Sequence, residues 1–229
     1  MTDATTLTFD LPDGSTRDVV VHTLLNAGYA GRNQEEVAAH IAELAELGVP
    51  APTTTPALYP VSPYLAQQTS SVAVQHGRTS GEAEWALIVA GDTRDDVLLT
   101  VACDHTDREL EVHGVAWSKN ASPDVLGSAA WKLTEVADHL DRIALRAWAD
   151  DVLIQDASLA DLLTPDHWLD ALAERDLFRA GTVLLSGTVQ MAPGVEQFAS
   201  SWRVELHDPV LDRRVSCSYT VERMPSPIG

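Results

Sequence analysis

The 229 residues carry 45% hydrophobic side chains and no long low-complexity tract, enough to bury a sizeable core in a single domain over 1–229. A formal charge of −19, from 34 acidic against 15 basic residues, argues against a nucleic-acid footprint and against an anionic membrane surface. No run approaches about eighteen apolar residues, and the start MTDATTLTFDLPDG is acidic and polar, so a cytoplasmic protein without a membrane span is expected.

In chain order, LTFDLPDGSTRDVVV alternates around Pro12-Asp13-Gly14 and predicts a β-hairpin, an N-terminal extension over 1–27. NQEEVAAHIAELAELG opens on Asn33, has an acidic first turn, places Val37, Ile41, Leu44 and Leu47 at helical spacing and stops at Gly48, which predicts a helix. VPAPTTTPALYPVSPYL holds five prolines and reads as an extended, packed connector. Strands are expected at SSVAVQ, EWALIVAG, VLLTVACD and EVHGVAW, a helix at AAWKLTEVADHLD and a strand at IALRAWAD. Short helical pieces follow in DASLADLLTPDHWLDALAERD, with Pro165 at a helix start, before three closing strands in GTVLLSGTV, SSWRVELHDP and RRVSCSYTVERM. Strands outnumber helices without regular βαβ alternation, so the class is α+β. Cys103 and Cys217 have the spacing of neither a disulfide framework nor a zinc ribbon.

Glu82 and Glu84 sit one residue apart at the mouth of an apolar strand, where side chains at i and i+2 share a face. Unpaired, they repel. A hard divalent cation removes that repulsion, and a third acid, Asp104, stands at the end of the next apolar run. His105 beside it points to the opposite face if the strand continues.

LLTVACDHTDREL resembles the segment of the fumarylacetoacetate hydrolase superfamily in which a strand ends in an aspartate metal ligand, followed at fixed offsets by Ser or Thr and by Arg; Asp104, Thr106 and Arg108 hold those offsets. GYAGRNQEEVAAHIAE resembles the segment leading to a His-x-x-Glu helix, GEAEWALIVAG the Glu-x-Glu strand, WSKNASPDVLG the segment with a substrate-facing lysine, and FRAGTVLLSGTV the late strand ending in Gly-Thr. The chain departs from that pattern at Cys103, where the superfamily has asparagine, and at Val189, where it has proline.

The resemblance implies a mixed β-roll and β-sandwich with a few peripheral helices, and a homodimer. It further implies Mg²⁺ or Mn²⁺ on Glu82, Glu84 and Asp104, catalytic roles for His40, Glu43 and Lys119, and substrate contacts from Arg32, Arg108 and Thr188. Three anionic oxygen ligands leave positions for a bidentate small-molecule 2-oxo or 1,3-dicarbonyl acid, whose enolate the cation would stabilise. His40 and Glu43, three apart on a helix, would activate water, which favours hydrolytic cleavage of a carbon–carbon bond. Decarboxylation, dehydration and tautomerisation of a 2-oxo acid proceed through the same enolate and are the alternatives within the enzyme class. A non-catalytic binding member of the fold is the alternative outside it.

Overall fold

The computed structural model describes residues 5–226 and 228, apart from the side chain of His40. The first strands, β1 (Thr6–Asp10) and β2 (Thr16–Val20), pair as an antiparallel hairpin around a turn in which the Asp13 carboxylate accepts the Ser15 N–H. β1 alternates exposed and buried residues, and Leu7 and Phe9 face inward with Val19 of β2. The hairpin ends at Val20. Residues 23–27, expected to belong to the extension, are instead part of β3 (Thr23–Gly28) in the main sheet, because Leu24 and Leu25 are buried on both of its faces.

After β3, the helix α1 (Gln34–Glu46) starts where predicted, with the Asn33 side chain accepting from Glu35 and Glu36 N–H. Ala57–Val61 forms β4 inside the proline-rich stretch, at the edge of the sheet where Pro60 breaks no interior ladder. Then come β5 (Ala66–Gln67), β6 (Ser71–Val74), β7 (Thr79–Val89) and β8 (Val97–Asp107). EVHGVAW is not extended: α2 (Arg108–Glu111) ends at its first residue and α3 (Val115–Lys119) takes its last three, with a turn between them. The Asp107 carboxylate accepts the Glu109 and Leu110 N–H groups and starts α2, a capping bond that the alternating valines conceal.

Next are β9 (Asp124–Leu126), β10 (Trp131–Lys132) and α4 (Leu133–Val136). The single helix expected at AAWKLTEVADHLD is therefore divided: Trp131 pairs with Leu99 in the sheet, and the 3-10 stretch after α4 is interrupted at His139. β11 (Ala144–Ala149), β12 (Val152–Ser158), α5 (Pro165–Ala173), β13 (Thr182–Leu185), β14 (Ser201–Asp208) and β15 (Arg213–Arg223) complete the order.

Among the described residues the strands form the hairpin and two larger sheets. One has eight strands in the order β4-β3-β13-β7-β8-β9-β5, with β10 added beside β8; the other has five in the order β12-β11-β14-β15-β6. The eight-stranded sheet curls into a roll, since the Asn26 side chain in β3 donates to Asp124 in β9 although three strands lie between them. Its concave face holds Ala86, Ile88, Leu98, Leu126 and Leu185, closed over by Leu7 and Phe9 of the hairpin. Its convex face holds Trp85, Leu87, Val101 and Cys103, which pack with Leu145, Trp202, Val204 and Tyr219 of the five-stranded sheet. The two sheets approach so closely at Gly81 that a Cβ there would lie 2.6 Å from both Cys103 Sγ and the Trp202 ring. Together they form an α+β roll and sandwich with peripheral helices.

Candidate active site

The acidic end of the concave face is built by strand register. β7 and β8 pair throughout, with Glu82 opposite Asp104, and β9 sets Asp124 opposite Asp104 on its other side. Residues directly opposite share a face, so Glu82, Asp104 and Asp124 form one row across three strands, with Glu84 two residues along β7. One oxygen from each of Glu82, Glu84 and Asp104 lies within 4.8 Å of the others. Glu84, Asp104 and Asp124 are fully buried.

Two cations enter from the helices after β8. Lys119, at the end of α3, donates from Nζ to Asp104 Oδ2 and to Glu82 Oε2, the latter at 3.3 Å. Arg108, at the start of α2, donates to Glu82 Oε1 at 2.7 Å, to both Glu111 oxygens at 3.1 Å and to Ser80 Oγ at 2.8 Å. The Gly187 N–H, beyond β13, donates to Glu84 Oε2 at 2.7 Å, and Thr106 Oγ1 donates to Asp104 Oδ1. Gly187 has φ +81°, a conformation that suits glycine and turns its amide toward Glu84.

The electrostatics divide these acids. Burial by itself would raise Glu82, but Lys119 and Arg108 hold its carboxyl down at about 2. Glu84 is pushed well above the ordinary carboxylate range by burial, with Asp104 and Glu82 adding to the rise. Asp124 is likewise raised, by burial and then by Asp104. Burial opposes the charge on Lys119, yet Asp104, Glu82 and Glu84 raise its ammonium well above the usual value. Tyr29 and Tyr59 border the same centre, half-buried, and burial pushes the Tyr29 phenol up to about 12.

The donor set fits a hard divalent cation. Glu84 Oε1 is buried and has no hydrogen-bond partner among the described residues, and five carboxyls (Glu82, Glu84, Asp104, Glu111, Asp124) gather around two cationic side chains. Oxygen-only ligands without Cys or His suit Mg²⁺ or Mn²⁺.

Of the other expected site residues, Arg108 and Lys119 join this centre. Thr188 stands next to Gly187, where its hydroxyl donates to Ala83 O at 2.9 Å and accepts from Gln155. Arg32 pairs with Asp141 at 2.8 and 3.0 Å and donates to the Leu159 and Leu162 carbonyls. Glu43 is exposed on α1, and the side chain of His40 lies outside the described residues. His105 faces away from the acids, as strand alternation requires. It lies between Tyr219 Oη and Thr79 Oγ1 at 2.9 Å each, and burial, with Arg108 adding, lowers it to about 4, so it is a neutral imidazole at pH 7.

Asn26, Ser80, Glu111 and Asp124 were not expected at the site. Ser80 shares the i, i+2 face of Glu82 and was within reach of that argument. Asp124 lies on a strand of three residues, too short for periodicity to register.

A curled sheet packed on a second sheet, with carboxylates gathered at one end of the roll, is the fumarylacetoacetate hydrolase fold, and solved structures of that fold superpose on this chain. A fumarylpyruvate hydrolase from Pseudomonas aeruginosa, determined with Mn²⁺ and pyruvate, aligns at TM-score 0.63 and 16% identity, covering 96% of this chain and 97% of that one. A 2-hydroxyhepta-2,4-diene-1,7-dioate isomerase from Mycobacterium marinum aligns at 0.62 and 12%, covering 98% and 100%, and a 2-keto-3-deoxyarabinonate dehydratase at 0.62 and 13%, covering 90% and 75%. By sequence, the chain belongs to the family described as Protein of unknown function (DUF2848), whose model matches residues 27–219. No curated protein sequence matches it.

Proposed function

We propose that this protein is a divalent-metal-dependent enzyme that cleaves a carbon–carbon bond in a small 2-oxo or 1,3-dicarbonyl acid by hydrolysis. The observation that carries the reading is the convergence of Glu82, Glu84 and Asp104 within 4.8 Å, with one Glu84 oxygen buried and without a hydrogen-bond partner among the described residues. These three residues would hold Mg²⁺ or Mn²⁺, and the bound cation would polarise a substrate carbonyl.

The protein's own groups divide the remaining work. Arg108 clamps Glu82 Oε1 while Lys119 takes Oε2, and Gly187 N–H clamps Glu84 Oε2, so each ligand carboxylate is held by a donor of the protein. Lys119 places an ammonium between Glu82 and Asp104, where it can meet a substrate carboxylate or a developing oxyanion. His40 would take a proton from water at its imidazole, with Glu43 one helical turn away orienting the ring. Thr188 would meet the substrate from the turn after β13. The cytoplasmic homodimer and the single domain over 1–229 belong to the same reading.

Dehydration, decarboxylation and tautomerisation remain the second reading. Solved structures of the same fold carry the names isomerase and dehydratase as well as hydrolase, and a cation held by these acids would stabilise the enolate that all of these chemistries share. Chelated protein reloaded with Mg²⁺ or Mn²⁺ should turn over a member of a panel of acylpyruvates, oxaloacetate and 3-deoxy-2-oxo sugar acids, and Glu84→Ala should abolish turnover. No turnover on the whole panel, with metal uptake unchanged by Glu84→Ala, would remove the enzyme reading. In His40→Ala, lost hydrolysis with retained decarboxylation would assign water activation to His40.

A further inference from the structure

Asn26 and Asp124 are fully buried polar side chains on the concave face, where the acid row meets Leu24, Ala102, Leu126 and Leu185. Burying such groups without need costs stability, and here each also keeps one buried oxygen, Asn26 Oδ1 and Asp124 Oδ2, that has no hydrogen-bond partner among the described residues. Their placement is specific. Asp124 lies directly across from Asp104 in the β8–β9 ladder, and Asn26 Nδ2 reaches over the roll to donate to Asp124 Oδ1 at 3.1 Å.

Asp104 is therefore enclosed on two sides along its row. Glu82 and Lys119 stand toward β7, and Asp124, held from behind by Asn26, stands toward β9. Lys119 and Arg108 both bond to Glu82, whereas Asp124 has no cation bonded to it among the described residues. Asp124 is not one of the three carboxylates whose oxygens converge within 4.8 Å, so it stands beside Asp104 in the ladder and outside that set.

We infer that Asn26 and Asp124 form an inner support that fixes the orientation of Asp104 as a ligand, which makes both of them positioning residues of the metal centre. The inference rests on the metal reading above and extends it to residues that never touch the cation. Groups that orient a ligand commonly change metal affinity by about 10- to 100-fold when removed.

The test is titration of the full-length, chelated protein with Mn²⁺ alone, following free Mn²⁺ by electron paramagnetic resonance. Asn26→Leu and Asp124→Leu should each weaken Mn²⁺ affinity about tenfold or more. Asp124→Asn keeps an oxygen for the Asn26 amide and presents an N–H toward Asp104, so it should bind within about threefold of wild type. Thermal unfolding without metal separates this effect from folding, since a variant that melts near the wild-type temperature yet binds Mn²⁺ weakly has lost affinity and not fold. Should Asp124→Leu fail to fold, Asn26→Leu carries the same test. Wild-type affinity in both leucine variants overturns the inference, as does equal loss in Asp124→Asn and Asp124→Leu, which would make the carboxylate charge the operative feature. Wild-type protein that takes up no Mn²⁺ overturns the metal reading and this inference with it, a result distinct from equal affinities.

Discussion

Glu84→Gln should stabilise the chelated protein and abolish the stabilisation that metal gives. In chelated protein the buried Glu84 carboxyl sits with Asp104 and Glu82, and burial and those two charges raise it above its ordinary value of 4.5. A raised carboxyl binds its proton more tightly folded than unfolded, so its penalty is absent below about pH 4.5 and grows as pH rises. At pH 7 the penalty is bounded by the distance from 4.5, about 3 kcal/mol. Glutamine keeps an acceptor for the Gly187 N–H and removes that penalty. Unfolding entropy near 60 °C is about 2.1 cal/mol/K per residue, or about 0.5 kcal/mol/K for 229 residues, so the variant should melt up to about 6 °C higher at pH 7 and match wild type near pH 4.5. Mn²⁺ at a hundred times its Kd contributes about 2.7 kcal/mol and should raise wild-type Tm by about 5 °C, but should leave the variant unmoved. Scanning calorimetry across pH 4.5–8, with and without Mn²⁺, reads both arms. A variant less stable than chelated wild type at pH 7, with its Mn²⁺ response intact, would refute the reasoning.

Three further outcomes follow from the same geometry. Lys119→Met strips the ammonium from Asp104 and Glu82 and should cost chelated protein about 3–5 kcal/mol in urea unfolding; a loss below about 1 kcal/mol would show that the pair does not depend on it. Phe9→Ala opens the closed end of the roll and should cost about 3–5 kcal/mol in one cooperative transition, whereas an early separate hairpin transition would mark the hairpin as a mere appendage. For Asp208, burial is outweighed by His139 and by the Val210 and Leu211 N–H groups, which hold its carboxyl below 3.8. A lowered carboxyl stabilises the fold above its unfolded pKa and loses that contribution as pH falls through the folded value. Asp208→Asn should therefore cost about 1–3 kcal/mol at neutral pH and flatten acid unfolding below about pH 4.

Elements whose signals are local were legible in the sequence. Asn33 caps α1, Pro165 opens α5, and the apolar runs of β7 and β8 and the strand-like runs of β14 and β15 stand where the pattern places them. Elements set by tertiary pairing were not. β12 returns on β11 through Asp150 and Asp151, both at positive φ without a glycine, so the usual turn signal is missing. Trp131 and Lys132 read as helix, but β10 docks them on β8, where their backbone completes the ladder. The E-x-E pair was readable because period-two alternation puts both residues on one face, and Asp104 because it ends the next apolar run; the β7–β8 register joins them. Asn26 and Asp124 meet only because the sheet curls, and no local pattern encodes that closure.

One pair of strands explains why the site and the core cannot be separated. Along β7, Glu82, Glu84, Ala86 and Ile88 face the interior of the roll, while Ala83, Trp85, Leu87 and Val89 face the five-stranded sheet. β8 repeats the division, with Ala102 and Asp104 on one face and Val101, Cys103 and His105 on the other. A slip of one residue in either strand would send the carboxylates into the packed layer with Trp202 and bring Trp85 or Cys103 to the acid centre. The wrong register would thus bury unpaired charge in the larger core, a cost of several kcal/mol per ion. Repulsion within the acid row weakens the native register far less, because Lys119, Arg108 and Gly187 each bond to a carboxylate there. The same carboxylates that would hold the cation therefore select the strand pairing that brings them together.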